Sequence, residues 1–111
     1  MSIKSIAAKL FAQIIHNKTQ KWVQNPIETQ QKVFQNLIAS ADDTQFGKDH
    51  NFSKIKSFED FAKHVPIRDY EELRPYIDRV VKGEENILWK GKPIYFAKTS
   101  GTTSGAKYIP L

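Results

Sequence analysis

The hydrophobic residues of this chain change their spacing once, near Gly83, and that change limits what the chain can fold into. Before Gly83 they recur every three or four positions, which is typical of amphipathic helices. After it they come in short runs, of which residues 94–97 and 108–111 are typical of β-strands. The pattern predicts an α+β fold, with a helical N-terminal segment over residues 1–92 followed by a β-hairpin over residues 93–111.

Residues 2–24 form the first predicted helix, which carries lysines opposite its apolar stripe. Asn25, Pro26 and Glu28 supply an N-cap, a first-turn proline and a first-turn carboxylate, so they predict a second helix directly afterwards. We expect these two helices to form a helical hairpin. A transit peptide or a membrane-surface anchor is the alternative for the first helix, but its lack of arginine and the helix that follows favour docking.

Two shorter helices are predicted by residue pairs with the spacing of a capping box. Ser57 precedes Asp60 by three positions, and Asp69 precedes Glu72 in the same way. Pro75 removes a backbone donor inside the second of these helices and should kink or split it.

The polar segment from residue 44 to 56 predicts a loop, with Gly47 at a turn or left-handed position. His50 lies there and His64 lies in the next helix, but neither has a second His at metal-ligand spacing. The carboxylates after residue 68 are explained by helix caps and surface ion pairs. The sequence therefore assigns no catalytic residue and no metal ligand.

Composition and charge exclude several classes of protein. The chain has no cysteine and no apolar run of about 18 residues, so disulfides and a membrane span are not expected and a cytoplasmic location is compatible. The net charge is +5, but the excess of lysine lies at the two ends. The three arginines, Arg68, Arg74 and Arg79, lie in the acidic middle, which is not the clustered pattern of a nucleic-acid-binding face. Neither nucleic acid nor a membrane is an expected partner.

The strongest chemical signal is the segment between the two predicted strands. Seven of the nine residues from 99 to 107 are Ser, Thr or Gly. Gly101 and Gly105 allow positive φ, so successive amides can point to one centre, and hydroxyls and the Lys107 ammonium add further donors. Such a nest suits a polyphosphate, although three residues between the glycines and a following strand are not the Walker pattern. A flexible linker is the alternative, but the apolar strands on both sides argue against it.

This loop resembles the phosphate-binding signature of the adenylate-forming superfamily, and more closely that of the auxin-responsive acyl acid amido synthetase family of plants and bacteria. The similarity covers roughly residues 30 to 111 and includes several upstream segments in the family's order. They are Thr44-Gln45-Phe46-Gly47-Lys48-Asp49-His50, Phe58 to Phe61, Val65-Pro66-Ile67, Tyr70-Glu71, Pro75-Tyr76-Ile77 and Gly83-Glu84. The loop departs from the superfamily pattern at Ser104 and at Ala106, where a proline often precedes the lysine.

The resemblance implies which loop residues serve the nucleotide. Contact with the phosphates of ATP is carried over to Ser100, Thr102 and Thr103. The remaining matched positions shape or support the loop; they are Thr99, Gly101, Ser104, Gly105 and Lys107.

The resemblance also implies a reaction. Family members use ATP and Mg²⁺ to adenylate a carboxylic acid, and they transfer the acyl group to an amino acid. The chain would be the start of the large N-terminal domain of a two-domain enzyme several times this length, and hence an incomplete domain that is inactive alone. A fragment of a ligase that forms acyl-CoA, or a non-enzymatic helical interaction module, is the alternative.

Overall fold

A computed structural model describes residues 1–101 and 105–111 of the chain. The chain divides into two units, Met1–Phe34 and Gln35–Leu111. In the part of the chain that the structure describes, five α-helices and one 3₁₀ turn are followed by an antiparallel hairpin of two strands, so the predicted α+β class is confirmed. Within the described residues, no helix combines the length and the apolar character that crossing a bilayer requires.

The first unit holds α1 (Ile3–Gln24) and the start of α2 (Pro26–Ala41), with bounds close to those predicted. Ser2 caps α1 by accepting a hydrogen bond from the amide of Ser5. None of the 22 residues of α1, all of them described, is buried. Leu10 and Phe11, in the middle of its apolar stripe, are 64% and 66% exposed. The predicted docking of this stripe in a helical hairpin is therefore wrong.

The second unit contains a short helix where the sequence predicted only a loop. Thr44 caps a five-residue helix, α3 (Gln45–Asp49), and a 3₁₀ turn follows at Phe52–Lys54. The first amides of α3 donate to the carbonyls of Asn86 and Ile87, at 2.8 and 2.9 Å. Tertiary hydrogen bonds thus stabilise a helix that is too short to form by propensity alone.

The prediction of a turn or left-handed conformation at Gly47 is also wrong. Gly47 lies inside α3 and is buried. A Cβ atom there would collide with the carbonyl oxygen of Ala41 and lie 2.9 Å from that of Asp42. Glycine is needed because two backbone segments meet at this point. Left-handed backbone occurs at two asparagines, Asn51 and Asn86, with φ of 54° and 55°.

Both predicted capping boxes are present. Ser57 and Asp60 open α4 (Phe58–His64), and Asp69 and Glu72 open α5 (Tyr70–Val81). The helix α5 runs through Pro75 without splitting. The core of this unit is built mainly from aliphatic side chains of the end of α2, the 3₁₀ turn and the residue after it, α5 and the segment after α5. Its buried apolar residues are Ile38, Ala41, Phe52, Ile55, Ile77, Val80 and Ile87.

The hairpin consists of β1 (Phe96–Lys98) and β2 (Tyr108–Pro110), paired so that Lys98 lies opposite Tyr108. The first strand starts two residues later than predicted. Ile94 and Tyr95 precede it and are 83% and 71% exposed. The hairpin places the Ser/Thr/Gly loop at one of its ends.

Candidate functional site

The loop is closed by two hydrogen bonds at its base. The amide of Thr99 donates to the carbonyl oxygen of Lys107 at 2.9 Å, and the amide of Lys107 donates to the Thr99 hydroxyl at 3.1 Å. The Thr99 hydroxyl therefore accepts a hydrogen bond within the loop. A fixed base restricts the directions in which the loop amides can point.

The two glycines of the loop serve different purposes. Gly105 has φ of 78°, a left-handed conformation that side chains disfavour. Gly101 is required for a close approach, because a Cβ atom there would overlap the carbonyl group of Gly105 and lie 2.6 Å from the amide nitrogen of Ala106. The backbone at Gly101 thus lies in close contact with the backbone at Gly105 and Ala106. The expectation that both glycines are present for positive φ is corrected to Gly105 alone.

The structure gives most of the predicted site residues a position around this closed base. Ser100, Gly101 and Gly105 are exposed at the loop surface, and Thr99 and Lys107 are half-buried below it. Thr102, Thr103 and Ser104, which include two of the three predicted phosphate contacts, lie outside the described residues. The described part supplies an exposed hydroxyl at Ser100 and exposed backbone at both glycines.

Tyr70, the first residue of α5, anchors the loop from below. Its hydroxyl donates to the carbonyl oxygen of Tyr108 at 3.2 Å and accepts from the Tyr108 amide at 2.8 Å. Its ring lies 5.4 Å from the ammonium of Lys107 and 5.7 Å from the guanidinium of Arg74, both within cation–π range. The sequence analysis assigned Tyr70 no role, because its partner lies 38 residues away and no local pattern marks such a contact.

Positive charge collects near the loop. Lys98 lies 5.9 Å from the Tyr108 ring, which leaves its ammonium beside β2, and Lys107 and Arg74 share the Tyr70 ring. Arg74 also pairs with Glu71 at 2.8 Å. The ammonium groups of Lys98 and Lys107, which flank the loop in the sequence, favour an anion over a neutral ligand there.

Nowhere in residues 1–101 and 105–111 do three or more His, Asp or Glu side chains come together as metal ligands would. His50 is buried and packs on Phe46, with ring centroids 4.0 Å apart. Its Nδ1 lies 2.7 Å from the Phe46 carbonyl oxygen, and Arg68 donates to its Nε2 at 2.8 Å. Both ring nitrogens form hydrogen bonds within the protein, so we assign His50 no chemical role.

A second polar pair joins α3 to α5. The Tyr76 hydroxyl donates to the Asp49 carboxylate at 2.7 Å, and the Gln45 amide donates to the same side chain at 2.8 Å. These bonds hold the pKa of Asp49 below its usual value. Burial, together with the bond to Asp49, raises the pKa of Tyr76. The pair lies on the α3 side of α5 and serves the stability of the unit.

A cavity of about 400 Å³ lies at the other end of the hairpin. Its walls are mainly apolar and include Trp89, Pro93, Pro110 and Leu111. None of the described loop residues lines it. The loop of residues 99–107 therefore remains the candidate site predicted from the sequence.

Comparison with known proteins identifies the family of the chain. The family model described as "GH3 family N-terminal domain" matches residues 15–111 of the chain. The chain belongs to the GH3 family. This confirms the resemblance found in the sequence, since GH3 proteins include the acyl acid amido synthetases that follow.

Individual relatives in the GH3 family match shorter stretches. Two Arabidopsis thaliana proteins are 46% identical: indole-3-acetic acid-amido synthetase GH3.15 over 55 residues, and 4-substituted benzoates-glutamate ligase GH3.12 over 48 residues. These stretches cover 48% and 42% of this chain, and 9% and 8% of the relatives. Arabidopsis thaliana indole-3-acetic acid-amido synthetase GH3.2 is 27% identical over 91 residues, which are 81% of this chain and 17% of that protein. The chain thus spans less than a fifth of the length of these relatives.

Proposed function

We propose that this chain supplies the ATP-phosphate loop of an acyl acid amido synthetase, an enzyme that adenylates a carboxylic acid and joins it to an amino acid. The observation that carries the proposal is the closed base of the loop, where two hydrogen bonds join Thr99 to Lys107 and the exposed Ser100 follows directly. The printed names of the relatives, which describe amide-forming synthetases and a glutamate ligase, favour an amide product over a thioester with coenzyme A.

The proposed reaction has two steps. A carboxylate oxygen attacks the α-phosphorus of ATP, the bond from that phosphorus to the bridging oxygen breaks, and pyrophosphate leaves. The amino acid nitrogen then attacks the acyl carbon and loses a proton, and AMP leaves. Both steps develop negative charge on oxygen, and preorganised amides, hydroxyls and ammonium groups stabilise such charge most when they are fixed beforehand.

The residues of this chain would hold the nucleotide and leave the acid and the amine to other parts of the protein. Ser100, with Thr102 and Thr103, would donate to phosphate oxygens, and Lys107 would neutralise part of their charge. Mg²⁺ neutralises phosphate charge when it is bound. The described residues show no group of carboxylates to hold it, so we assign it no ligand in this chain and expect it to arrive on the ATP phosphates.

A double substitution in the complete protein that carries this segment tests the proposal. Thr102→Ala with Thr103→Ala removes two proposed donors and should slow carboxylate-dependent exchange of labelled pyrophosphate into ATP by about 10- to 1000-fold. Thr19→Ala with Thr29→Ala is the matched control, because these two threonines lie in α1 and α2. Equal exchange rates in the loop variant and the control would overturn the proposal.

We also propose that the chain of 111 residues forms no amide on its own and that the complete enzyme works in the cytoplasm. A phosphate loop alone cannot position an attacking carboxylate, and positioning contributes much of an enzyme's rate. Mass spectrometry of the purified chain with ATP, a carboxylic acid and an amino acid should detect no amide product.

A further inference from the structure

Tyr70 connects α5 to the hairpin in two ways. Its hydroxyl bonds to the backbone of Tyr108, and its ring contacts the ammonium of Lys107 next to the loop. Thr99 and Lys107 form a hydrogen-bonded pair, and the amide of Leu111 donates to the carbonyl of Tyr95 at 3.0 Å. Since such pairs alternate along antiparallel strands, Tyr108 lies at a position whose amide and carbonyl face away from β1. The Tyr70 hydroxyl takes up both of these outward groups.

The ring of Tyr70 acts on the neighbouring residue. Lys107 is half-buried, and its ammonium lies 5.4 Å from the centre of the Tyr70 ring. Among the described residues, the Lys107 ammonium forms no ion pair with a carboxylate. The ring therefore restricts the ammonium without neutralising its charge, which leaves that charge available to an anion.

Tyr70 is itself held in place by the start of its helix. Asp69 accepts a hydrogen bond from the Glu72 amide, and Glu72 accepts one from the Asp69 amide, both at 2.9 Å. This reciprocal capping fixes the backbone immediately before Tyr70. A chain of contacts thus leads from a capped helix end through one phenol to the base of the loop.

We propose that Tyr70 is a positioning residue for the nucleotide loop. Its hydroxyl fixes the position of β2 relative to α5, and its ring directs the Lys107 ammonium toward the phosphates. This inference rests on the proposed function and extends it to a residue outside the loop. Tyr70 does not contact the phosphates itself. It acts through Lys107 and through the backbone of Tyr108.

Two substitutions separate the roles of the hydroxyl and the ring. Tyr70→Phe keeps the ring and removes the two hydrogen bonds, whereas Tyr70→Leu removes the ring and the hydrogen bonds together. The control is Tyr76→Phe, which removes a hydroxyl from the same helix that bonds to Asp49. Binding of inorganic pyrophosphate to the full chain of 111 residues is measured by NMR titration of its amide resonances. We expect Tyr70→Leu to weaken binding about 10-fold, Tyr70→Phe to weaken it less, and the control to leave it unchanged.

Two further readings distinguish positioning from a general structural role. The Lys107 side-chain resonances should show a ring-current shift that persists in Tyr70→Phe and disappears in Tyr70→Leu. Lys107→Met should weaken binding in the native chain but add little in the Tyr70→Leu background, because the two changes remove the same interaction. Additive losses, with no ring-current shift at Lys107, would overturn the inference.

The outcomes also separate this inference from the proposed function. If the native chain binds pyrophosphate and Tyr70→Leu binds it equally well, the inference fails and the proposed function stands. If the native chain binds no pyrophosphate at concentrations up to tens of millimolar, the loop is not a phosphate site and both fail. Unchanged amide resonances in α3 and α4 of each Tyr70 variant, and in α4 of the Tyr76→Phe control, verify that the unit has kept its fold.

Discussion

At the scale of single residues, the bond from Tyr76 to Asp49 makes stability depend on pH at both ends of the range. The pKa of Asp49 lies below its usual value of 3.8, so its contribution is present above that pH and is lost as pH falls through the lowered pKa. The pKa of Tyr76 lies above its usual 10.0, so its contribution is present below pH 10.0 and is lost as pH rises through the raised pKa. Tyr76→Phe should therefore lower the free energy of unfolding by about 0.5–1 kcal/mol at neutral pH, a modest value because Asp49 is exposed.

Urea denaturation of the native chain and of Tyr76→Phe at several pH values checks this prediction. The difference between the two proteins should be constant from about pH 5 to pH 9 and shrink outside that range. Tyr95→Phe serves as the control, since Tyr95 is 71% exposed. A difference that did not change between pH 7 and pH 2 would show that Asp49 is not the partner that matters.

Residue patterns predicted local structure here, and they failed where backbone from another segment packs against the residue in question. Gly47 reads as a turn in the sequence because the atoms that exclude a side chain belong to Ala41 and Asp42, whose approach only the fold creates. Tyr70 could not be found for the same reason, since its hydroxyl meets β2 across 38 residues. Gly101 and Gly105 were recognised as loop glycines, but only the structure separates close approach from positive φ.

At the scale of elements, the start of α5 links helix stability to the hairpin. Asp69→Ala removes the carboxylate that accepts from the Glu72 amide and keeps the backbone amide that donates to the Glu72 carboxylate, so it should lower the free energy of unfolding by about 0.5–2 kcal/mol. Asp69→Asn retains a capping oxygen and should cost much less. Hydrogen exchange of the Tyr108 amide provides a second measurement, because Tyr70 follows the cap directly. Equal stability of the alanine and asparagine variants would contradict this account.

The elements that were predicted well are those whose signals lie within a few residues. The capping boxes at Ser57 and Asp69, and Pro26 at the start of α2, marked helix starts that the structure confirms. The helix α3 was missed because its first amides bond to Asn86 and Ile87, about 40 residues later. Pro75 did not split α5, which shows that tertiary packing can outweigh one lost donor.

At the scale of the whole molecule, the two units differ in how much apolar surface they bury. The described part of the second unit contains the buried aliphatic core, whereas α1 buries none of its residues. The exposed stripe of α1 is accompanied by lysines and by no acid, so charge opposes the approach of a second copy at low salt. An amphipathic helix that leaves its apolar face in water is stabilised when that face is covered.

We therefore expect the chain to self-associate through α1, and to do so more strongly as salt screens the lysines. Sedimentation velocity at about 50 mM and about 500 mM salt should show association that rises with both protein and salt concentration. Leu10→Gln with Ile14→Gln should abolish it, because both side chains are more than half exposed on the stripe. Ile67→Gln, at a fully exposed position outside α1, should leave it unchanged. If the native chain stays monomeric in high salt, or if the Ile67 variant loses association equally, contact between copies does not run through α1. The surface formed by α5 and the hairpin then becomes the next one to test.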